Sequence, residues 1–506
     1  MIGCVKSGGV YGIDAFCVRV ESDISDGLPG IDLVGYLNSE VKEARERVWT
    51  AVKNSGFSIP AKKVTVNLSP ANIKKRGTGY DLAMAVSLLQ ALEIIRDGHC
   101  DDLLVCGELM LSGEVSAIRG VLPIVKMAKE SGIKRCIIPK ENADEGAVIE
   151  GLEIIAVESL RETVDYINGL MHIPAEKVNS TGLFLEKKTD EYNFKDVQGQ
   201  AEAKRGMEIA AAGLHNTLLI GPPGTGKTMI SKCLPGILPP LTMDECLEVS
   251  AVYSVAGLLS RNKPLITSRP FMSPHHTVTD VALTGGGSSP KPGIIPLAHR
   301  GVLFLDEMPE FSKRSLEVLR QPIEDNVLHV ARCNYICDYP SDFMLVGAMN
   351  PCPCGMYPDL SRCTCSETSR KNYINKLSKP LLDRIDISMN VLRPDSRDIL
   401  YKREEESSEI IRERVINAQK IQAQRFEGSG IHFNSQMGVR ELEKYCVLDE
   451  ECMKFMEKVF LKYDLSARAY HRILKTSRTI ADLDESANLK VKHLTEALFY
   501  RVTVGE

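Results

Sequence analysis

Gly221-Pro222-Pro223-Gly224-Thr225-Gly226-Lys227-Thr228 is the stretch on which the reading of this chain turns. The apolar run Thr217-Leu218-Leu219-Ile220 precedes it, and Met229-Ile230-Ser231-Lys232-Cys233-Leu234 follows. That order predicts a strand, a glycine-rich loop and a helix start, the context in which a P-loop cradles phosphate. The glycines let the loop curl until its N–H groups point at the phosphates of ATP, and the helix N-terminus adds partial positive charge. Lys227 would pair with phosphate oxygens, and Thr228 would hold Mg2+ through its hydroxyl.

Downstream, Gly301-Val302-Leu303-Phe304-Leu305-Asp306-Glu307 reads as a buried parallel strand with two carboxylates at its C-terminal tip. Asp306 would join the Mg2+ shell, and Glu307 would orient or deprotonate the attacking water. A third apolar run, Phe343 to Met349, ends in Asn350, placed to read the γ-phosphate or to position the water. Thr228 and Asp306 lie 78 residues apart, long for one helix–strand crossover. The extra chain includes Arg269 to Thr277 (RPFMSPHHT) and the glycine-rich loop Gly285 to Gly293. A loop of that kind inside a compact domain is usually functional. The paired His275 and His276 are read as structure or substrate contact rather than metal ligands. A hairpin is expected over Glu324 to Arg332; Lys291 and Arg332 would supply local positive charge at these two insertions.

Cys352-Pro353-Cys354 and Cys363-Thr364-Cys365 form two close pairs around a short loop. Four thiolates in that arrangement are zinc-ligand material and would close the site, so the Zn2+ would be structural. Arg384, in Lys379-Pro380-Leu381-Leu382-Asp383-Arg384-Ile385-Asp386, would neutralise charge on the phosphoryl group of a neighbouring subunit. The alternative is an intrachain ion pair with Asp383 or Asp386. Ser396 to Phe426 reads as one long charged helix and 439–506 as helical throughout, with a helix starting near Leu465. Arg468 is the candidate second nucleotide sensor, with Arg472 on the same helical face behind it.

Upstream, 1–171 alternates strands and helices. Ala15 to Val20, Val64 to Leu68 and Cys136 to Pro139 read as strands; Ser39 to Asn54, Asp81 to Leu92 and Val121 to Ser131 read as helices. The run Lys74-Lys75-Arg76 reads as a solvated surface, with phosphate contact the alternative. A polar linker spans 172–193, the ATPase 194–394 and a helical domain 395–506.

The 506 residues suffice for several domains, and 43% apolar with 25% charged residues is ordinary for a globular protein. A net charge of -5 announces no global nucleic-acid field, so any such site is a local patch. The opening Met1 to Lys6 lacks a signal-peptide core, and the longest apolar stretch, Leu82 to Ile95, is too short and interrupted to span a bilayer. With fifteen cysteines besides, a reducing, cytoplasmic setting with no membrane partner is expected.

Lys75 to Ala85, together with the stretch from Gly113 through Asn142, resembles the Lon-protease-type domain. Gly79 stands where that family carries its nucleophilic serine, and Leu122 where it carries the activating lysine, so the resemblance implies a non-proteolytic relative. Asp196-Val197-Gln198-Gly199-Gln200 resembles the opening of AAA+ modules. The stretches Arg269 to Thr277, Leu297 to Glu307, Met349 to Gly355 and Ser477 to Leu483 together resemble the magnesium-chelatase-like AAA+ ATPases of the YifB/ComM type. The resemblance covers essentially the whole chain. It implies an α/β protein with a P-loop AAA+ core, a Lon-like N-terminal domain and a C-terminal helical lid. It also implies a ring, a hexamer, with ATP sites between subunits, and a helicase acting on single-stranded or branched DNA during natural transformation. A chelatase motor driving Mg2+ into a porphyrin and a protein-remodelling ATPase are the alternatives.

Overall fold

The computed structural model describes residues 2–96, 98–179, 182, 191–287, 291–332, 335–393 and 404–501. It contains two principal sheets. The N-terminal sheet has seven strands in the order Gly30–Val34, Lys63–Ser69, Asp14–Ser25, Gly3–Tyr11, Leu103–Val105, Arg135–Pro139, Glu153–Val157. Val41, Ala44, Val48, Ala51 and Val52 form the buried stripe of the helix Ser39–Asn54, the spacing of one helical face. The helix Asp81–Ala91 is buried along its whole length against the sheet. Lys75 departs from the expectation of a solvated basic run. Its side chain is fully buried and its Nζ donates to the Pro70 carbonyl, so only Lys74 and Arg76 remain near the surface.

The second sheet is wholly parallel, in the order Phe271–Met272, Val302–Leu305, Met344–Met349, Thr217–Ile220, Ile387–Asn390. Alternate side chains enter two different cores. Leu219, Phe304 and Val346 join one, and Leu218, Leu303 and Leu345 join the other. A parallel strand covered on both faces has no polar side to show, which is why these runs are unbroken apolar sequence. The first core continues into the C-terminal helices through Val415, Ile473 and Leu494.

Those helices are Ser408–Arg425, Val439–Tyr445, Glu450–Tyr463, Ala467–Leu483 and Val491–Phe499. The long charged helix therefore begins at Ser408, and 404–407 carry no helix; 394–403 and 502–506 lie outside the described residues. Turns and caps break the segment expected to be helical throughout. Ser466 caps the helix that was placed near Leu465, accepting from the Ala469 N–H at 3.3 Å. A buried polar network ties this helix down. The Asp482 carboxylate accepts from Arg425 at 2.7 Å, from Arg478 at 3.1 Å and from Asn434 at 2.8 Å. One turn away, Thr479 bonds the fully buried His215 at 2.8 Å, and His215 meets Asp386 at 3.1 Å on its other nitrogen. The Ser477 to Leu483 stretch is thus the joint between the helical domain and the parallel sheet.

A helix over Met243–Ala256, capped by a reciprocal Thr242–Glu245 pair, joins the parallel-sheet domain to the N-terminal domain. Leu247 and Ala251 pack on the apolar cluster of Val121, Leu122 and Val125. The Ser254 hydroxyl donates to the buried Glu145 carboxylate, which also accepts from the Leu122 N–H at 3.0 Å. On its other side Glu248 meets His299 at 3.5 Å and Arg300 at 3.0 Å. The His299 hydrogen bond, with Arg300 beside it, holds the Glu248 carboxyl down at about 2.

Candidate nucleotide site and cysteine cluster

The P-loop spans the gap between the strand Thr217–Ile220 and the helix Lys227–Ile237. Gly226 sits at φ +89, a left-handed conformation that glycine alone adopts without cost. Lys227 is nearly buried. Its Nζ donates to the Gly221 carbonyl at 2.6 Å and the Pro222 carbonyl at 2.8 Å, and reaches Asn350 Oδ1 at 3.4 Å. Burial lowers its pKa, and the Asp306 and Glu307 carboxylates pull the other way. Thr228 Oγ1 donates to Asp306 Oδ2 at 2.7 Å, so the hydroxyl and carboxylate placed at the Mg2+ shell do converge. Asp306 Oδ1 accepts from the Glu307 N–H at 2.9 Å. Three adjacent parallel strands thus deliver Lys227, Asp306, Glu307 and Asn350 to one spot, as the C-terminal ends of a parallel sheet do.

Glu307 has φ +51, and its Oε2 lies 3.6 Å from His276 Nδ1. His275 packs against His276 with ring centroids 4.1 Å apart and the planes tilted by 33°. The histidine pair therefore borders the carboxylate that would position water, a role its spacing in the sequence did not disclose. Arg269, at the head of the same segment, is a brace. Its guanidinium donates to the Pro239 carbonyl at 2.6 Å and the Arg300 carbonyl at 2.8 Å.

Arg384 lies elsewhere. It precedes the strand Ile387–Asn390, which pairs with the P-loop strand in the register Thr217↔Ile387 and Ile220↔Asn390. Asn216 fixes this end: its carbonyl accepts from the Asp386 and Ile387 N–H groups at 2.9 and 3.1 Å, and its Nδ2 donates to the Arg384 carbonyl at 3.3 Å. Arg384 is therefore level with the start of the P-loop strand, while the P-loop leaves its far end, ~13 Å away at the rise of a β-strand. Its guanidinium pairs with Glu324 and with the Pro380 carbonyl, not with Asp383 or Asp386 as the intrachain alternative proposed. Asp383 instead faces Arg468 at 3.5 Å and Arg472 at 3.4 Å. Arg472 also donates to the Leu382 and Ile385 carbonyls, whereas the Arg468 side chain is 76% exposed. Arg384 and Arg468 thus share one edge, at the end of the sheet opposite their own P-loop.

The four cysteines converge. Cys352 Sγ is 3.4 Å from Cys354 and 3.8 Å from Cys363, and Cys354 is 3.7 Å from Cys363. All four sulfurs lie within 4.8 Å of one another. A tetrahedral ion with metal–sulfur bonds of ~2.3 Å spaces its sulfurs ~3.8 Å apart, close to the separations among Cys352, Cys354 and Cys363, so the donor set fits Zn2+. The Met356 N–H and the Cys352 thiol draw the Cys354 thiol down to about 6.

The glycine-rich insertion carries a short strand pair, and the expected hairpin is present with shifted bounds. Gly285–Gly286 and Lys291–Pro292 pair as a minimal hairpin, and Ser288 to Pro290 lie outside the described residues. Glu324 and Asp325 end a helix, and the hairpin proper pairs Val327–Arg332 with Tyr335–Pro340; the Arg332 side chain lies outside the described residues. This hairpin docks on the N-terminal domain. Tyr335 Oη accepts from the Gly12 N–H at 2.9 Å, and Arg76 lies 4.9 Å over the Tyr335 ring. Between them opens a cavity of about 600 Å³ lined by Gly79, Arg76, Arg119, Lys291 and Tyr335. Leu122 is buried in the joint beside it. A glycine and a leucine at these positions offer neither nucleophile nor base.

Among the described residues no helix is long and apolar enough to cross a membrane. The family described as magnesium chelatase, subunit ChlI, matches residues 193–399, its C-terminal counterpart matches 405–501, and subunit ChlI of Mg-chelatase matches 20–142. The chain is 40% identical to YifB of Escherichia coli K12 over 99% of this chain and 97% of that protein. It is 39% identical to the competence protein ComM of Haemophilus influenzae over 99% and 98%. A shorter likeness, 31% identical over 184 residues, 34% of this chain and 32% of the relative, joins it to Lon protease 2 of Bacillus subtilis. Family membership implies ATP and Mg2+ as cofactors. With likeness running the length of the chain, the protein belongs to the magnesium-chelatase-like AAA+ ATPase family of YifB and ComM.

Proposed function

We propose that this protein is a ring-forming ATPase, a hexamer, that couples ATP hydrolysis to remodelling of single-stranded or branched DNA. The observation that carries the ring is the position of Arg384 and Arg468. Both sit at the sheet end away from their own P-loop, so the site supplied by Lys227, Thr228, Asp306, Glu307 and Asn350 gains its arginines from a neighbour. Lys227 would pair with phosphate oxygens, and Thr228 and Asp306 would hold Mg2+, which would supply neutralisation of developing charge. Glu307 orients the water that attacks the γ-phosphorus and takes up its proton as the bond to the β-phosphate oxygen breaks. The four cysteines would hold Zn2+, which would close the loop after Asn350.

The DNA reading is supported by full-length likeness to a competence protein. It is supported also by Arg76, Arg119 and Lys291, which outnumber Glu40 and Glu108 in the lining of one cavity in a chain of net charge -5. Local cations of that kind contact phosphate without sequence preference. A chelatase-type motor is the second reading, favoured by the ChlI matches.

Glu307→Gln separates binding from turnover. The variant should bind ATP, assemble and hold forked DNA without hydrolysing, whereas Lys227→Ala should fail to bind ATP. Full turnover by Glu307→Gln would overturn the assignment.

A further inference from the structure

The cysteine loop is not remote from the chemistry. Cys352 is two residues beyond Asn350, the tip of the strand Met344–Met349, and is itself buried. The chain then folds back, with the Gly355 N–H bonded to the Cys352 carbonyl at 2.9 Å. Gly355 takes φ +77 there, and its backbone lies hard against the P-loop. A Cβ on it would stand 2.6 Å from Pro223 Cδ and 3.8 Å from Asn350 Cγ. The turn from Cys352 to Gly355 thus lies against the roof of the P-loop and beside the side chain placed at the γ-phosphate. Cys363 is held by its own backbone bond, its N–H donating to the Asp359 carbonyl at 2.8 Å, and Asp359 also caps Ser361 at 3.0 Å. The distal half of the cluster is therefore a preformed anchor, and the proximal half is continuous with the nucleotide site.

We infer that metal occupancy of Cys352, Cys354, Cys363 and Cys365 sets the ATPase rate. A thiolate-bound Zn2+ pins the 352–355 turn, and with it Asn350 and Pro223, in the arrangement hydrolysis requires. Zn2+ performs no chemistry in this scheme. Without it, Lys227 and the P-loop amides still take nucleotide, but Asn350 is no longer held to the water and γ-phosphate. This inference rests on the reading of Asn350 as the γ-phosphate sensor. A displacement of about 1 Å at such a group costs on the order of 10²-fold in rate.

The test strips metal from the full chain with a chelator under reducing conditions, then restores Zn2+ alone. Zinc content, affinity for a fluorescent ATP analogue, kcat and KM are followed together. Expected are about one Zn2+ per chain as purified, a fall in kcat of about 10²-fold on stripping, little change in analogue affinity, and recovery on adding Zn2+. In an Asn350→Ala background, stripping should cost nothing further, since the metal acts through the residue already removed. Gly355→Ala, which keeps all four thiols, should retain zinc and lose kcat, and it covers the case in which stripped protein unfolds. Zinc-free protein turning over at the native rate, no zinc in freshly reduced protein, or a fully active Gly355→Ala would each overturn the inference. If Asn350→Ala itself hydrolyses normally, the sensor reading fails first. If Asn350→Ala is inactive while stripping is harmless, only the coupling fails.

Discussion

Arg384→Ala is the perturbation whose outcome depends most on the geometry. The residue is ~13 Å from its own P-loop along the strand direction, so it cannot serve that site without a neighbouring subunit. Removing an arginine that acts in trans costs 10³-fold or more in hydrolysis, ~4 kcal/mol in barrier height. The pairing of Arg384 with Glu324 does not alter that estimate. Glu324 is 56% exposed although Arg384 is only 16% exposed, and a pair with one carboxylate open to solvent is worth about 1 kcal/mol, which a better partner in a ring would exceed. Arg384→Ala should therefore bind nucleotide normally and hydrolyse almost none. Lys227→Ala should be inactive for the opposite reason. In a random equal mixture, a productive interface needs the P-loop of one variant and the arginine of the other, which occurs at about a quarter of interfaces in a ring. The assay is steady-state phosphate release from co-assembled subunits carrying different tags, with mixing verified by pull-down through one tag and detection of the other. Recovery towards a quarter of native activity is expected. No recovery in verified mixed rings would refute the trans assignment and leave Arg384 as an intrachain brace on Glu324.

Two further perturbations address other parts of the account. His276→Ala should free Glu307 from the 3.6 Å contact, raising basal hydrolysis and flattening stimulation by DNA with KM for ATP unchanged; a lowered KM-independent rate would instead make His276 a support for the active conformation. Asp482→Ala leaves Arg425 and the buried Arg478 without their carboxylate, and breaking such a pair costs ~3–5 kcal/mol, so thermal melting should fall by about 10 °C; an unchanged melt would show that the network contributes little.

The nucleotide site was legible because its signal is local. An apolar four-residue run followed by Gly221 to Thr228 admits few other folds, and the strands ending at Asp306 and Asn350 announce themselves by burial on both faces. The cysteine cluster was legible for the same reason, its ligands being only a short loop apart. What resisted reading was everything set by contacts between distant segments. His276 gives no sign in its spacing that Glu307 is its neighbour. Glu324 lies 60 residues from the arginine it pairs with. Asn216 lies 168 residues from Arg384, yet it fixes the height of Arg384 against the sheet. Lys75, within a basic run, was read as solvated because composition cannot show that its chain passes inward to the Pro70 carbonyl. The docking of Tyr335 on Gly12 joins residues more than three hundred positions apart, and no local pattern encodes it.

The central claim is that hydrolysis is coupled to DNA. The most direct measurement is the ATPase rate of the assembled ring with forked and single-stranded DNA of unrelated sequences, across a salt series, with strand displacement followed in parallel. The account predicts stimulation by any sequence, weakening steeply as salt rises. It also predicts that Lys291→Ala combined with Arg332→Ala abolishes displacement while leaving basal hydrolysis largely intact. A ring that hydrolyses ATP at low salt yet neither binds nor unwinds DNA, and whose rate rises only with a porphyrin-bearing partner complex, would contradict the claim and establish the chelatase-type motor in its place.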